Sequence, residues 1–176
     1  MTDKATIRVF IADDHGIVRE GLKLILAEQR DIVVAGEAEN GLDAARLVAK
    51  AKANVVLLDI SLPDRNGIEV LKQIRKDRPD LAVLMLSMHR EDQYAIRALK
   101  AGAAGYITKQ SAPRELVTAI RLVAGGQKYV SAALAQTLAS AIGEDHESAA
   151  HEGLSDREYQ TLTMIASGMT VTQIAG

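Results

Sequence analysis

The residues of this chain that could do chemistry end apolar runs. Asp13 and Asp14 follow the run IRVFIA, Asp59 follows NVVLL, Ser87 follows LAVLML, and Lys109 follows AAGYIT. Carboxylates brought close together repel one another, and some keep a proton unless a cation intervenes. A hard divalent ion relieves this: magnesium prefers oxygen ligands, retains several waters, and is commonly held by one or two carboxylates together with phosphate oxygens. Beside such an ion, Asp59 could attack a phosphoryl group as a nucleophile and become an aspartyl phosphate. Lys109 would offset the added charge, and Ser87 could donate a hydrogen bond to a phosphoryl oxygen. Taken alone, an aspartate at the end of a strand is ordinarily a cap or turn residue. It is the repetition at corresponding ends that suggests a site.

These side chains act together only if the fold gathers them. From Ile7 to about Gly125, short β-branched apolar runs alternate with longer helical patterns five times, the signature of βα units around a parallel sheet. The pattern predicts strands at Ile7–Ala12, Ile32–Ala38, Asn54–Ile60, Leu81–Ser87 and Ala104–Thr108. Helices are predicted at about His15–Glu28, Gly41–Lys50, Gly67–Lys76, Glu91–Ala101 and Pro113–Ala124, with Pro113 suited to a first turn. Three of the strands are nearly continuous apolar stretches, as expected where helices cover both faces. In such sheets, binding groups collect beyond the carboxyl ends of the strands, near the point where strand order reverses. With right-handed crossovers, Asp13, Asp14, Asp59, Ser87 and Lys109 would converge on one concavity.

The motifs ADDH (Ala12–His15), LLDISLP (Leu57–Pro63) with Asn66-Gly67, LS (Leu86-Ser87) and AAGYITK (Ala103–Lys109) resemble the receiver domains of response regulators over about residues 5–125. The resemblance implies a flavodoxin-like, doubly wound α/β fold with strand order 2-1-3-4-5. It implies that Asp59 is the phosphoacceptor and that Mg2+ is held by Asp13, Asp14, Asp59 and the backbone carbonyl of Ser61. Ser87 and Tyr106 match the family's switch pair, and Lys109 its phosphate-contacting lysine. One position departs from the family: Gln110 stands where a proline in a cis bond is common. Because a cis bond before a non-proline residue costs about 2.5–4 kcal/mol, a trans loop is expected here. His15 and His89 read as polar residues at helix starts rather than ligands, since magnesium prefers oxygen. Gly102 and Gly105 read as turn residues, and the chain has neither G-x-G-x-x-G nor Walker spacing.

Beyond Gly125-Gly126, Ser131–Ile142 reads as an alanine-rich helix that either covers the first domain or forms a dimer contact. The stretch 143–153 is short of large apolar residues and reads as a linker, placing His146 and His151 in solvent. At Leu154, Ser155 and Glu158 have capping-box spacing, and LSDREYQTL with IASGMTVTQIA resembles the start of a LuxR-type helix-turn-helix domain. The whole pattern is similar to the NarL/FixJ class of regulators. The domain expectation is a receiver over 1–125, a linker with one helix over 126–153, and the N-terminal part of an all-α helix-turn-helix domain over 154–176. The recognition helix is missing from these residues, so DNA binding is assigned to a longer protein, and little specific binding is expected of this chain.

Composition agrees with such a protein. The chain has 176 residues, 48% hydrophobic and 25% charged, with a formal net charge of -2, so any attraction to promoter DNA must be local. No cysteine is present, which excludes disulfides and thiol chemistry and suits a reducing cytoplasm. No export signal or membrane-length apolar run is apparent. The function implied is a two-component response regulator: a sensor histidine kinase phosphorylates it, it forms a homodimer when phosphorylated, and it controls transcription without acting as an enzyme on other substrates. Two alternatives use the same residues. One is a receiver signalling only through protein contacts. The other is a magnesium-dependent aspartyl-phosphate phosphatase of the haloacid dehalogenase type, whose nucleophile is commonly followed two residues later by a second acid; Ser61 occupies that position here.

Overall fold

The computed structural model describes residues 5–88 and 92–143. The predicted helix-turn-helix segment, linker residues 144–153, His89, Glu91, His146 and His151 lie outside the described residues. Strands and helices alternate as β1 (Ile7–Ala12), α1 (Gly16–Ala27), β2 (Ile32–Ala38), α2 (Gly41–Val48), β3 (Val55–Asp59), α3 (Gly67–Asp77), β4 (Ala82–Ser87), α4 (Asp92–Lys100), β5 (Gly105–Thr108), α5 (Ala112–Ala124) and α6 (Ala132–Gly143). The five strands form one parallel sheet in the order β2-β1-β3-β4-β5, the flavodoxin-like α/β arrangement expected from the sequence.

Alternation along each strand divides the core in two. Phe10, Val56, Leu58, Val83 and Met85 face one side, where α2, α3 and α4 bring Ala44, Val48, Leu71, Ile74 and Ala98 against them. Val9, Ile11, Val55, Leu57, Leu84 and Leu86 face the other, where α1 and α5 supply Leu22, Leu26, Leu116 and Ile120. Covered on both faces, β3 and β4, and β1 after the exposed Arg8, run apolar until their carboxyl ends and then stop at Asp or Ser. Strand β2 lies at one edge and leaves Val33 and Val34 partly exposed.

The opposite edge is closed by the segment after α5. Tyr129 forms a parallel bridge with Gly105: its amide donates to the Ala104 carbonyl at 2.9 Å, and its carbonyl accepts from the Tyr106 amide at 3.2 Å. This corrects the reading of Gly105 as a turn residue. It lies within β5, and a Cβ there would stand 2.6 Å from the Tyr129 carbonyl oxygen, so glycine is needed for close approach. Gly102 does supply a turn, at φ +100°. Among the described residues there is no cis peptide bond, so the loop at Gln110 is trans, as expected.

Helix α6 lies over this same side. Leu134 is buried, and Val130 and Leu138 pack against the cluster that holds Tyr94, Ala98 and Tyr106. The apolar stripe therefore covers the sheet domain, one of the two roles expected for it. None of the described helices is long and apolar enough to cross a membrane.

Substituting alanine at Gly105 is expected to lower stability by about 1–3 kcal/mol, because the added Cβ must displace Tyr129 or Leu84. Alanine at Gly21, inside α1 with nothing within 4 Å of the new Cβ, should instead raise stability by about 0.5–1 kcal/mol. Urea unfolding of the two variants checks the opposite signs; a neutral Gly105→Ala would mean that Tyr129 is not tightly seated.

Candidate functional site

Register decides which residues meet. Ala12 of β1 pairs with Leu58 of β3, so Asp13 and Asp59, the next residues of each strand, stand side by side at the sheet's carboxyl edge. From β1 the chain passes outward to β2 and then returns to β1's other flank as β3, so these two acids sit where strand order reverses. Asp59 pairs with Leu86, and Ser87 with Thr108, which brings Lys109 to the same edge two strands away from Asp59. Its backbone is held there by donation from the Lys109 amide to the Ser87 carbonyl at 2.7 Å. Two strand spacings are roughly 9–10 Å. Only a long side chain spans that gap.

Lys109 does so. Its Nζ lies 2.9 Å from Asp59 Oδ2 and 2.7 Å from Asp13 Oδ2, and all three side chains are buried. The other Asp59 oxygen, Oδ1, accepts from the Ser61 amide at 3.2 Å. Asp13 Oδ1 accepts from the His15 amide at 2.9 Å. Asp14 stands nearer the rim, with His15 Nδ1 2.7 Å from its Oδ1. His15 does begin α1, but its side chain makes no capping bond and turns to the two acids instead.

Three carboxylates face one buried ammonium, a formal imbalance of two negative charges (-3 +1). Burial pushes the Asp59 carboxyl above its ordinary value, and the Asp13 charge adds to this, while Lys109 and the Ser61 amide oppose it. For Lys109, burial works toward a lower value, but the Asp59 charge and the contacts with both acids outweigh it and hold the ammonium protonated above the usual lysine range. A divalent cation would cancel the imbalance. Ligand atoms of Asp13, Asp14, His15 and Asp59 lie within 4.8 Å of one another. Asp13 Oδ2 and Asp14 Oδ1 are buried and accept no hydrogen bond, having only the ion-pair contacts already described. Lone pairs so placed, on hard oxygens, suit Mg2+.

The loop after β3 is tied down on both sides of the site. Asn66 caps α3 by accepting from the Ile68 amide at 2.8 Å. At Gly67 an added Cβ would lie 2.1 Å from the Asp59 carbonyl oxygen, so the chain can fold back on the strand end only with glycine there. Asp64 accepts from the Gly41 and Leu42 amides at 2.6 and 2.8 Å, binding the loop to the start of α2. Desolvation works against its ionised form, but these backbone bonds prevail and hold its carboxyl below the ordinary value.

Of the residues expected from the sequence, Asp13, Asp14, Asp59 and Lys109 are gathered into one cluster. Ser61 adjoins it through its amide. Ser87 is buried at the end of β4, and Tyr106 is buried in the apolar cluster beneath, beside α4 and α6. Arg19 was not anticipated. Its guanidinium is buried and donates from Nη1 to the Asp13 carbonyl at 2.8 Å. A signal existed: Arg19 precedes Leu22 by three residues and Leu26 by seven, which puts it on the buried stripe of α1.

Comparison with known proteins identifies the family. Residues 9–121 match the family described as the response regulator receiver domain. The chain is 38% identical over 170 residues to the response regulator UvrY of Escherichia coli, covering 96% of this chain and 78% of that one. It is also 38% identical over 171 residues to the response regulator GacA of Pseudomonas aeruginosa, covering 96% of this chain and 79% of the relative. Among solved structures, a two-component response regulator of the LuxR family from Aurantimonas superposes with a TM-score of 0.74 at 36% identity, covering 80% of this chain and 100% of that chain. The RcsB response regulator of Salmonella typhimurium superposes with a TM-score of 0.72 at 29% identity, over 97% of this chain and 81% of that chain. The chain belongs to the two-component response regulators of the NarL/FixJ class, with its receiver fold in the residues described above.

Proposed function

We propose that a sensor histidine kinase donates a phosphoryl group to Asp59, and that the phosphorylated receiver controls DNA binding by the full-length protein. The observation that carries this reading is the Lys109 ammonium lodged between Asp13 and Asp59. One Asp59 carboxylate oxygen attacks phosphorus; the new O–P bond forms as the N–P bond of the donor phosphohistidine breaks, and the departing imidazole keeps the bonding pair and is reprotonated by solvent. Water later attacks the phosphorus, releasing inorganic phosphate and restoring the carboxylate. The chain thus catalyses only its own phosphorylation and dephosphorylation. Asp13, Asp14, Asp59 and the Ser61 carbonyl would hold Mg2+, which when bound offsets the charge of the phosphoryl oxygens. Lys109 adds a fixed positive charge at those oxygens, and Ser87 a hydroxyl donor.

The switch is a population shift. A phosphoryl group that binds better when Ser87 is drawn inward favours the conformer in which Tyr106 fills the vacated space. Tyr106 shares its cluster with Tyr94 of α4 and Leu134 of α6, so a change there meets the helix that leads toward residues 144–176. Promoter DNA is the partner of the full-length protein, homodimerisation accompanies phosphorylation, and the cytoplasm is its place of action. DNA interaction is named for the similar RcsB structure.

Asp59→Asn is expected to abolish labelling by acetyl phosphate with Mg2+, and Lys109→Ala to slow it by about 100-fold, the scale of losing one preorganised charge in a buried site. Mass spectrometry of the intact protein reads both; undiminished labelling of Asp59→Asn at another residue defeats the assignment.

A second expectation concerns stability without metal. Because the folded state raises the Asp59 carboxyl above its ordinary value of 3.8, the stability it contributes is complete below that value and is lost as pH rises through the folded value. Metal-free Asp59→Asn should therefore melt above wild type at pH 7, the difference closing at acid pH. Thermal scans at pH 7 and pH 4 test it, and a variant less stable than wild type at pH 7 contradicts it.

A further inference from the structure

The positioning of the acidic pair depends on a residue outside the pocket. We infer that Arg19 is the positioning residue for Asp13 and Asp14, because it fixes the peptide unit that joins them. The inference rests on the reading that these acids hold a divalent cation.

Arg19 lies on the buried stripe of α1, where a guanidinium needs compensating partners. Nη1 donates to the Asp13 carbonyl at 2.8 Å. Nη2 is paired with Glu39, while Nε makes no hydrogen bond and has only a charge contact with Glu37 Oε2 at 3.4 Å. Glu37 is itself steadied by Lys23 Nζ at 3.1 Å. The side chain is therefore a strut between the carboxyl end of β2 and the carboxyl end of β1.

What it holds is specific. The Asp13 amide donates to the Ala38 carbonyl at 3.1 Å, so one peptide flanking Asp13 is fixed by β2. The other, whose carbonyl Arg19 engages, is planar and includes the Asp14 amide, so fixing the carbonyl also fixes the direction in which the chain enters Asp14. The Asp13 carboxylate has further restraints in Lys109 and the His15 amide. Asp14, at the rim, has the His15 imidazole, which is itself largely exposed. Without Arg19 the Asp13–Asp14 peptide loses the donor that holds its carbonyl, and the mutual aim of the two carboxylates at a shared cation loosens.

The test compares the full chain with Arg19→Met, which keeps the apolar stem but has no donor, and Arg19→Lys, whose longer stem carries a donor toward the Asp13 carbonyl. Calorimetric titration with MgCl2 well below each variant's Tm should show affinity at least tenfold weaker for Arg19→Met and less than threefold weaker for Arg19→Lys. Rescue by lysine separates donation to the carbonyl from general loss of packing. Equal Mg2+ affinity in the two variants, whether both unchanged or both weakened, overturns the inference. If Arg19→Met does not fold, Glu39→Ala replaces it: loosening the strut at its other end should weaken Mg2+ binding about threefold to fivefold, and unchanged binding overturns the inference. Failure of wild type itself to bind Mg2+ would instead defeat the reading of the pocket, whereas normal wild-type binding with insensitive variants defeats only the role of Arg19.

Discussion

A single buried ammonium holds the functional edge of this molecule together. Lys109 reaches across β4 to place Nζ between Asp13 and Asp59, and neither acid is a tolerable buried charge without it. The compensation is incomplete, since Asp14 adds a third carboxylate and the site remains negative. That residue of charge gives the pocket its chemistry. It favours a divalent cation, which the proposed phosphorylation of Asp59, one of the two acids that Lys109 touches, would use.

The rest of the fold answers to this contact. Asp13 and Asp59 are neighbours because β1 and β3 pair with Ala12 opposite Leu58, and Lys109 is within reach because the Ser87 carbonyl fixes its amide at the end of β4. A slip of one residue in either register would turn the acid to the opposite face of the sheet. Two separate apolar clusters, one on each face, protect that register. Around the pocket, Gly67 lets the β3–α3 chain pack onto the Asp59 carbonyl, Asp64 ties the same loop to α2, and Arg19 ties β1 to β2. The loops that carry the chemistry are thus held by bonds between elements far apart in the chain.

Those distant bonds mark the boundary of what the sequence discloses. The strands were legible because β1, β3 and β4 are covered on both faces, so each apolar run ends visibly at Asp13, Asp59 or Ser87, whereas their order in the sheet came from the family resemblance. Lys109 was legible by its place just after β5. Arg19 was not, because a basic residue in an amphipathic helix ordinarily lies on the solvated face, and only its phase with Leu22 and Leu26 betrays burial. The partnership of Asp64 with Gly41 and Leu42 crosses more than twenty positions and leaves no local pattern. Tyr129 was read as part of a linker, since nothing in its neighbours shows that its backbone will extend β5; the need for glycine at 105 is the trace of it. His15 was placed correctly at a helix start, but its turn toward the acids follows from the β1–α1 corner and not from helix capping.

Tyr106 is buried with Tyr94 and Leu134, so the residue proposed to switch shares its packing with α4 and α6. The proposed phosphorylation depends on one cation sitting among the acids at the carboxyl edge. The most direct measurement is a titration of Mn2+ into the 15N-labelled protein, watching amide broadening by the paramagnetic ion. The account predicts that Asp13, Asp14, Asp59 and Ser61 broaden first and together, and that excess Mg2+ restores them. Early broadening centred elsewhere, or broadening of these amides that Mg2+ cannot reverse, would contradict it.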